Sequence, residues 1–244
     1  MGTTTTEAFS SSASHQLATR KESRRTGESY GVTAKYLAEA IGTFLLVFTV
    51  GAAVASRSPL APLAVGASLM VMIYAGGHIS GGHYNPAVTL AVLVRHRIGL
   101  RDAVAYWIVQ IAAGVLAALV VRNAVDPAEA VKTVTLTLSA QSLVAALVVE
   151  LVFTFALCYV VLNVATSKSQ PNNSFYGLAI GFTVVAGAAS VGTISGGAFN
   201  PAVTLGAAVM GMFAWPTLWV YLIAQVIGGT AAGVTFVALN RDDK

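Results

Sequence analysis

Charge is what this sequence has least of. Lys, Arg, Asp and Glu make up 10% of its 244 residues, against roughly 25% in an ordinary soluble domain. From Ser169 to Asn240 there is no Asp, Glu, Lys, Arg or His at all. A soluble fold of this length exposes too much surface to leave such a stretch uncharged, so a soluble globular protein is excluded. Cysteine is nearly absent too. Cys158 stands alone in an apolar run, which rules out an intrachain disulfide and makes it a packing residue. The groupings that enzymes use are also missing: there is no nucleophile–base set, no metal-ligand cluster and no phosphate-cradling loop after a strand. Neither enzymatic activity nor a cofactor is expected.

Apolar residues, at 56%, supply what is there. Runs of spanning length fall near 35–56, 61–77, 103–122, 141–163, 175–193 and 216–239, each close to the roughly 20 residues that cross a hydrocarbon core. Two further apolar pieces, 78–94 and 195–211, are too short to span and are opened by glycines and a proline; they read as half-spans. The fold class expected is therefore an all-α membrane protein with six spans and two re-entrant half-helices. Residues 1–33, rich in Thr, Ser and charge, read as a disordered tail. A channel domain is expected over 34–240, in halves of about 34–125 and 140–240, followed by a short tail at 241–244. The first apolar stretch has no small-residue cleavage signature and is expected to be a retained span.

The halves repeat. "SGGHYNPAVTL" at 80–90 returns as "SGGAFNPAVTL" at 195–205, "AEAIGTFLLVF" at 38–48 is echoed by "VELVFTFALCY" at 149–159, and Gln110 matches Gln225. Three spans and one half-span per half force the second copy into the membrane upside down. The cations agree with a cytoplasmic N-terminus. Arg20, Lys21, Arg24, Arg25, Lys35, Arg95, Arg97, Arg101, Lys168, Arg241 and Lys244 then lie inside, leaving Arg57, Arg122 and Lys132 outside. A basic cluster beside a first span serves anionic lipid, and nucleic acid is not an expected partner.

At each half-span, asparagine is a favoured N-cap and proline suits the first turn. Asn85 and Asn200 then keep their amide NH₂ groups as donors to whatever passes between them. Gly81, Gly82, Gly196 and Gly197 permit an extended loop whose carbonyls can line a path. Both half-helix N-termini bring roughly half a positive charge to one central point, a barrier to cations and protons but not to neutral hydrogen-bonding molecules. His78 and His83, read as lying in a glycine loop without Cys, Asp or Glu nearby, do not make a metal site. A loop histidine capping carbonyls, or standing near the cytoplasmic end of the path, is the expected role. Tyr106, Trp107, Trp215, Trp219 and Tyr221 read as an interfacial aromatic belt.

On these residues the chain resembles the aquaporin and glycerol-facilitator family, the major intrinsic proteins, over about residues 34–240. The family's paired motifs stand here as Asn85-Pro86-Ala87 and Asn200-Pro201-Ala202. The resemblance implies a passive channel for water and small uncharged solutes, closed to ions and protons. It also implies a homotetramer with one pore per subunit, multi-pass in the cell membrane, with both termini cytoplasmic. Glu39 and Glu150 resemble the family's paired membrane glutamates, implied to hold the carbonyls of the half-helix loops in place, and His83 falls in the pore loop.

The selectivity filter departs from the pattern. Family members commonly carry arginine directly after the second motif, where this chain has Val203. Alignment on the motifs puts the other filter positions at Val65, Ala188 and Gly197, so bulk and charge are both missing. The expectation is a wider opening that admits glycerol, urea, ammonia or hydrogen peroxide as well as water. Other hallmarks conflict: Thr204 stands where glycerol facilitators usually place aspartate, and the pair Tyr221-Leu222 is mixed. Two other readings stay open, a secondary transporter of a neutral solute and a closed-pore structural protein of the same fold.

Overall fold

A computed structural model describes residues 30–125 and 140–243. The tail expected over 1–33 lies almost wholly outside the described residues, as do Lys132 and Lys244.

The described residues are helical throughout their ordered elements, with six helices long and apolar enough to cross a membrane. These are α1 (Val32–Ala55), α2 (Ala61–Ser80), α4 (Leu100–Val120), α5 (Ala140–Val161), α6 (Tyr176–Ser195) and α8 (Leu218–Leu239). Between α2 and α4 lies α3 (Pro86–Val94), and between α6 and α8 lies α7 (Pro201–Val209), each nine residues long. At 1.5 Å per residue such a helix is about 13 Å long, less than half of a hydrocarbon core.

The sequence shows why the chain breaks where it does. Both α2 and α6 end on a glycine in the left-handed region, Gly81 at φ 93° and Gly196 at φ 87°. A second left-handed glycine follows each, Gly82 and Gly197. Two consecutive positive φ values are accessible only at steep cost to residues with a Cβ, so the glycine pair is what lets the chain leave a span and re-enter as a half-helix. Each half-helix then starts at proline, behind an extended asparagine cap.

The two half-helices point opposite ways. The end of α3 meets Thr166 and Asp243, from the segments after α5 and α8. The end of α7 instead meets Arg122, just past α4, which donates to the Val209 carbonyl at 3.0 Å. In α1, a Cβ on Gly51 would run into Met210 and Val121 side chains at that second end. The two tips meet in between, as an inverted repeat requires. Glycines let the helices close up: Gly66 of α2 and Gly181 of α6 each face the other's backbone carbonyl.

Polarity is sorted from the inside outward. Glu39, Gln110, Glu150 and Gln225 are fully buried, whereas Ile41, Ile108, Val144, Val148 and Val234 are at least half exposed. An apolar exterior around a polar interior is the arrangement a lipid solvent favours.

Candidate functional site

The loops before α3 and α7 are built on one buried carboxylate each. Glu39 Oε1 accepts from the Ser80 hydroxyl (2.7 Å) and the His83 N–H (2.9 Å), and Oε2 from the Tyr84 N–H (2.7 Å) and the Gln110 amide (2.8 Å). Glu150 repeats the set with Ser195 (2.7 Å), the Ala198 and Phe199 N–H groups (2.9 and 2.8 Å) and Gln225 (3.0 Å). Both glutamates thus hold the loops before the half-helices, as expected of loop supports, but through N–H and hydroxyl donors. A carboxylate accepts hydrogen bonds, so what it grips directly is the loop N–H groups.

Each asparagine caps its half-helix and reaches across to the other. Asn85 Oδ1 accepts from the Ala87 N–H at 2.8 Å and Asn200 Oδ1 from the Ala202 N–H at 2.9 Å. The Asn85 amide donates to the Phe199 carbonyl, and the Asn200 amide to the Tyr84 carbonyl, both at 2.9 Å. One donor of each amide is thus used between the halves, where the sequence reading left both for a solute. The second N–H remains on each of two residues that line the same cavity.

That cavity, of about 370 Å³, is walled by Asn85 and Asn200 with Val88, Val203 and a mostly apolar surround. Val65, Ala188, Gly197 and Val203 all line it, as do Gly82, His83 and Gly196. A Cβ on Gly197 would lie 3.2 Å from Ala188 Cα, so those two positions abut. Gly81 lines a second cavity instead, of about 290 Å³, towards the end of α3. His83 and Val161 stand in the walls of both, so the two cavities adjoin there.

Among the histidines and aromatics, His78, Tyr106 and Tyr221 depart from expectation. His78 belongs to the last turn of α2, not to the loop. The His83 ring meets the Thr89 hydroxyl at 3.0 Å and the edge of Tyr106, not a carbonyl. Tyr106 and Tyr221 are buried and form no belt. Each donates its hydroxyl at 2.7 Å to the last carbonyl of a span, Ser80 and Ser195 respectively, where the helix end leaves it unpaired. Trp107 donates to the Pro86 carbonyl at 3.0 Å, while Trp215 and Trp219 are exposed. The sequence reading missed Ser80, Ser195 and both tyrosines as loop supports. The signal was present, since each pair has the same separation as Asn85 and Asn200.

Two capped, oppositely directed half-helices meeting inside six membrane-crossing helices, with a cavity past their tips, define a membrane channel of the re-entrant half-helix type. The family model for Major intrinsic protein matches residues 27–236, and the chain belongs to that family. It is 38% identical over 215 residues to the glycerol uptake facilitator protein-like 6 of Lactiplantibacillus plantarum, covering 86% of this chain and 99% of that one. It is 36% identical to aquaporin NIP2-1 of Oryza sativa, covering 86% and 71%. The X-ray structure of the aquaglyceroporin from Plasmodium falciparum superposes with a TM-score of 0.72 at 19% identity, covering 84% of this chain and 96% of that one. As a member of this family the protein is a passive channel for water and small solutes.

Proposed function

We propose that the protein is a wide-filter channel that passes small uncharged solutes such as glycerol and urea together with water, and that Val65, Ala188, Gly197 and Val203 form its filter. The observation that carries this reading is the wall of the central cavity. All four positions border it, and none brings a charge or a large ring. A narrow, cationic constriction needs both. Cation exclusion then falls to the two half-helix N-termini and to the cost of stripping water from an ion among apolar walls.

Two features support the solute range. The Asn85 and Asn200 amides are donors placed in an otherwise apolar passage, which suits molecules with hydroxyl or carbonyl oxygens. The name of the Lactiplantibacillus relative, a glycerol uptake facilitator, points the same way. The reading further places the protein in the cell membrane as a homotetramer, with the N-terminal tail and the end of α3 on the cytoplasmic side.

Val203→Arg tests the filter. In proteoliposomes followed by stopped-flow light scattering, the substitution is expected to lower glycerol and urea permeability at least roughly tenfold, the effect of about 1.4 kcal/mol of added barrier. Water permeability should fall far less. Unchanged glycerol and urea flux would remove Val203 from the filter. A wild type that passes neither solute would overturn the wide-filter reading itself.

A further inference from the structure

The transport reading leaves one buried ionic cluster unused. Arg95 closes α3 as its C-cap residue, and its side chain is 1% exposed. Its Nη2 lies 2.7 Å from Asp243 Oδ1, whose side chain is itself 7% exposed. The guanidinium also donates from Nη1 to the Asp243 carbonyl (2.8 Å), from Nε to the Thr166 hydroxyl (3.0 Å) and from Nη2 to the Thr166 carbonyl (3.2 Å). Its carbon sits 4.3 Å from the centre of the Phe236 ring. Asp243 Oδ2 accepts from the Ser167 hydroxyl (3.0 Å) and the Lys168 N–H (2.8 Å), and Arg97 reaches Oδ1 at 3.4 Å. One carboxylate past the last span thus ties together residues 95–97 after the half-helix and 166–168 after α5.

The tie borders the second cavity. Arg97 and Thr166, both held by it, also form part of the wall of the 290 Å³ cavity at the α3 end, with Lys35, His83 and Asp102. His83 stands in the central cavity's wall too, so the two cavities adjoin beside the first half-helix tip. An exposed ion pair would hold little in place, because solvent competes for both partners. A buried arginine that makes four hydrogen bonds to two residues fixes geometry, and loss of the Asp243 carboxylate leaves its charge without a counterpart.

We propose that Asp243 is a positioning residue for transport. Through Arg95 and Arg97 it sets the width and charge of the channel mouth at the α3 end, and so the balance of solutes admitted there. The proposal rests on the channel reading above. With Asp243 neutralised, Arg97 loses its partner and is free to lean over the mouth, while Thr166 loses the arginine that pins its wall. The passage of a solute as large as glycerol suffers first, and water least.

Proteoliposomes carrying full-length wild type, Asp243→Asn, Asp243→Glu, Arg97→Ala and the Asn–Ala double variant test this by stopped-flow measurement of water and glycerol permeability. The Asp243→Asn variant should lower the glycerol-to-water permeability ratio roughly threefold or more. Asp243→Glu should restore the ratio. Combined with Arg97→Ala, the Asn substitution should change the ratio by less than it does alone, because both act through one contact. A wild-type ratio in Asp243→Asn, or strictly additive effects in the double variant, overturns the positioning role. If Asp243→Asn does not reconstitute, Arg97→Ala decides: a wild-type ratio there overturns the proposal as well. Absence of glycerol flux in the wild type would instead count against the wide filter, and is read before any variant.

Discussion

Glu39 and Glu150 each sit where a carboxylate is costly, fully out of solvent and within spanning helices. Each is stable there because four donors converge on it, two of them backbone N–H groups of a re-entrant loop. Replacing Glu39 with glutamine keeps the shape but turns one acceptor atom into a donor. At least one of the four donors then faces an N–H, a mismatch worth about 1–3 kcal/mol. Glu39→Gln should accordingly lower the thermal unfolding midpoint in detergent, and glycerol flux should fall as the loop loosens. A midpoint equal to wild type would show that the carboxylate does not hold the loop. That a buried acid needs donors could be read from the sequence, and the repeat placed Glu39 and Glu150 in register. Which groups donate could not be read, because Gln110 is 71 positions from Glu39 and reaches it only once α4 packs beside α1. For the same reason Tyr106 and Tyr221 looked like interfacial aromatics. A tyrosine near a span end is equally at home in an aromatic belt or buried on a free carbonyl, and only packing decides between them.

The half-helices are held along their length as well as at their tips. Gly114 of α4 lies against Ala202, and Gly229 of α8 lies against Ala87, so at the alanine of each repeated motif a full span packs closely on a half-helix. A Cβ placed on Gly229 would stand 2.7 Å from the Ala87 carbonyl oxygen, and one on Gly114 3.0 Å from that of Ala202. Backbone cannot step aside as a side-chain tip can, so Gly229→Val should force α3 away from α8. Overpacking of this kind costs about 1–3 kcal/mol, occasionally more. The expected readout is a lower unfolding midpoint with reduced flux of both water and glycerol; wild-type values of all three would show that the two helices can part without cost. Elements of this kind were legible from the sequence because their causes are local: run length, a glycine pair and an Asn-Pro start. The spans observed differ from those expected by a few residues, mainly because helices such as α4 and α5 run on into a wider final turn.

Taken as a whole, the molecule closes on itself at the α3 end through Asp243. Burial there opposes its ionisation, but the Lys168 N–H, the Ser167 hydroxyl and Arg95 together outweigh it and hold the carboxyl below its ordinary range. A group with a depressed native pKa contributes stability above its unfolded value, near 3.9, and loses that contribution as pH falls through the native one. The difference in unfolding midpoint between wild type and Asp243→Asn should therefore be constant from about pH 8 to 5 and shrink only below about pH 4. A difference that already vanishes by pH 6 would mean that the carboxylate is not stabilised in place. This tie left no mark in composition or periodicity, since one Asp in a short charged stretch after a last span looks like any solvated residue. A different consequence attaches to the crossed asparagines at the centre. Asn85 completes its bonding on a carbonyl 114 residues further along the chain, and Asn200 on one 116 residues back. A nascent chain therefore carries its first half-helix with an unfinished tip until the second half has been made as far as Phe199. The completion is mutual, since the later half supplies the carbonyl that the earlier half lacks and takes one in return.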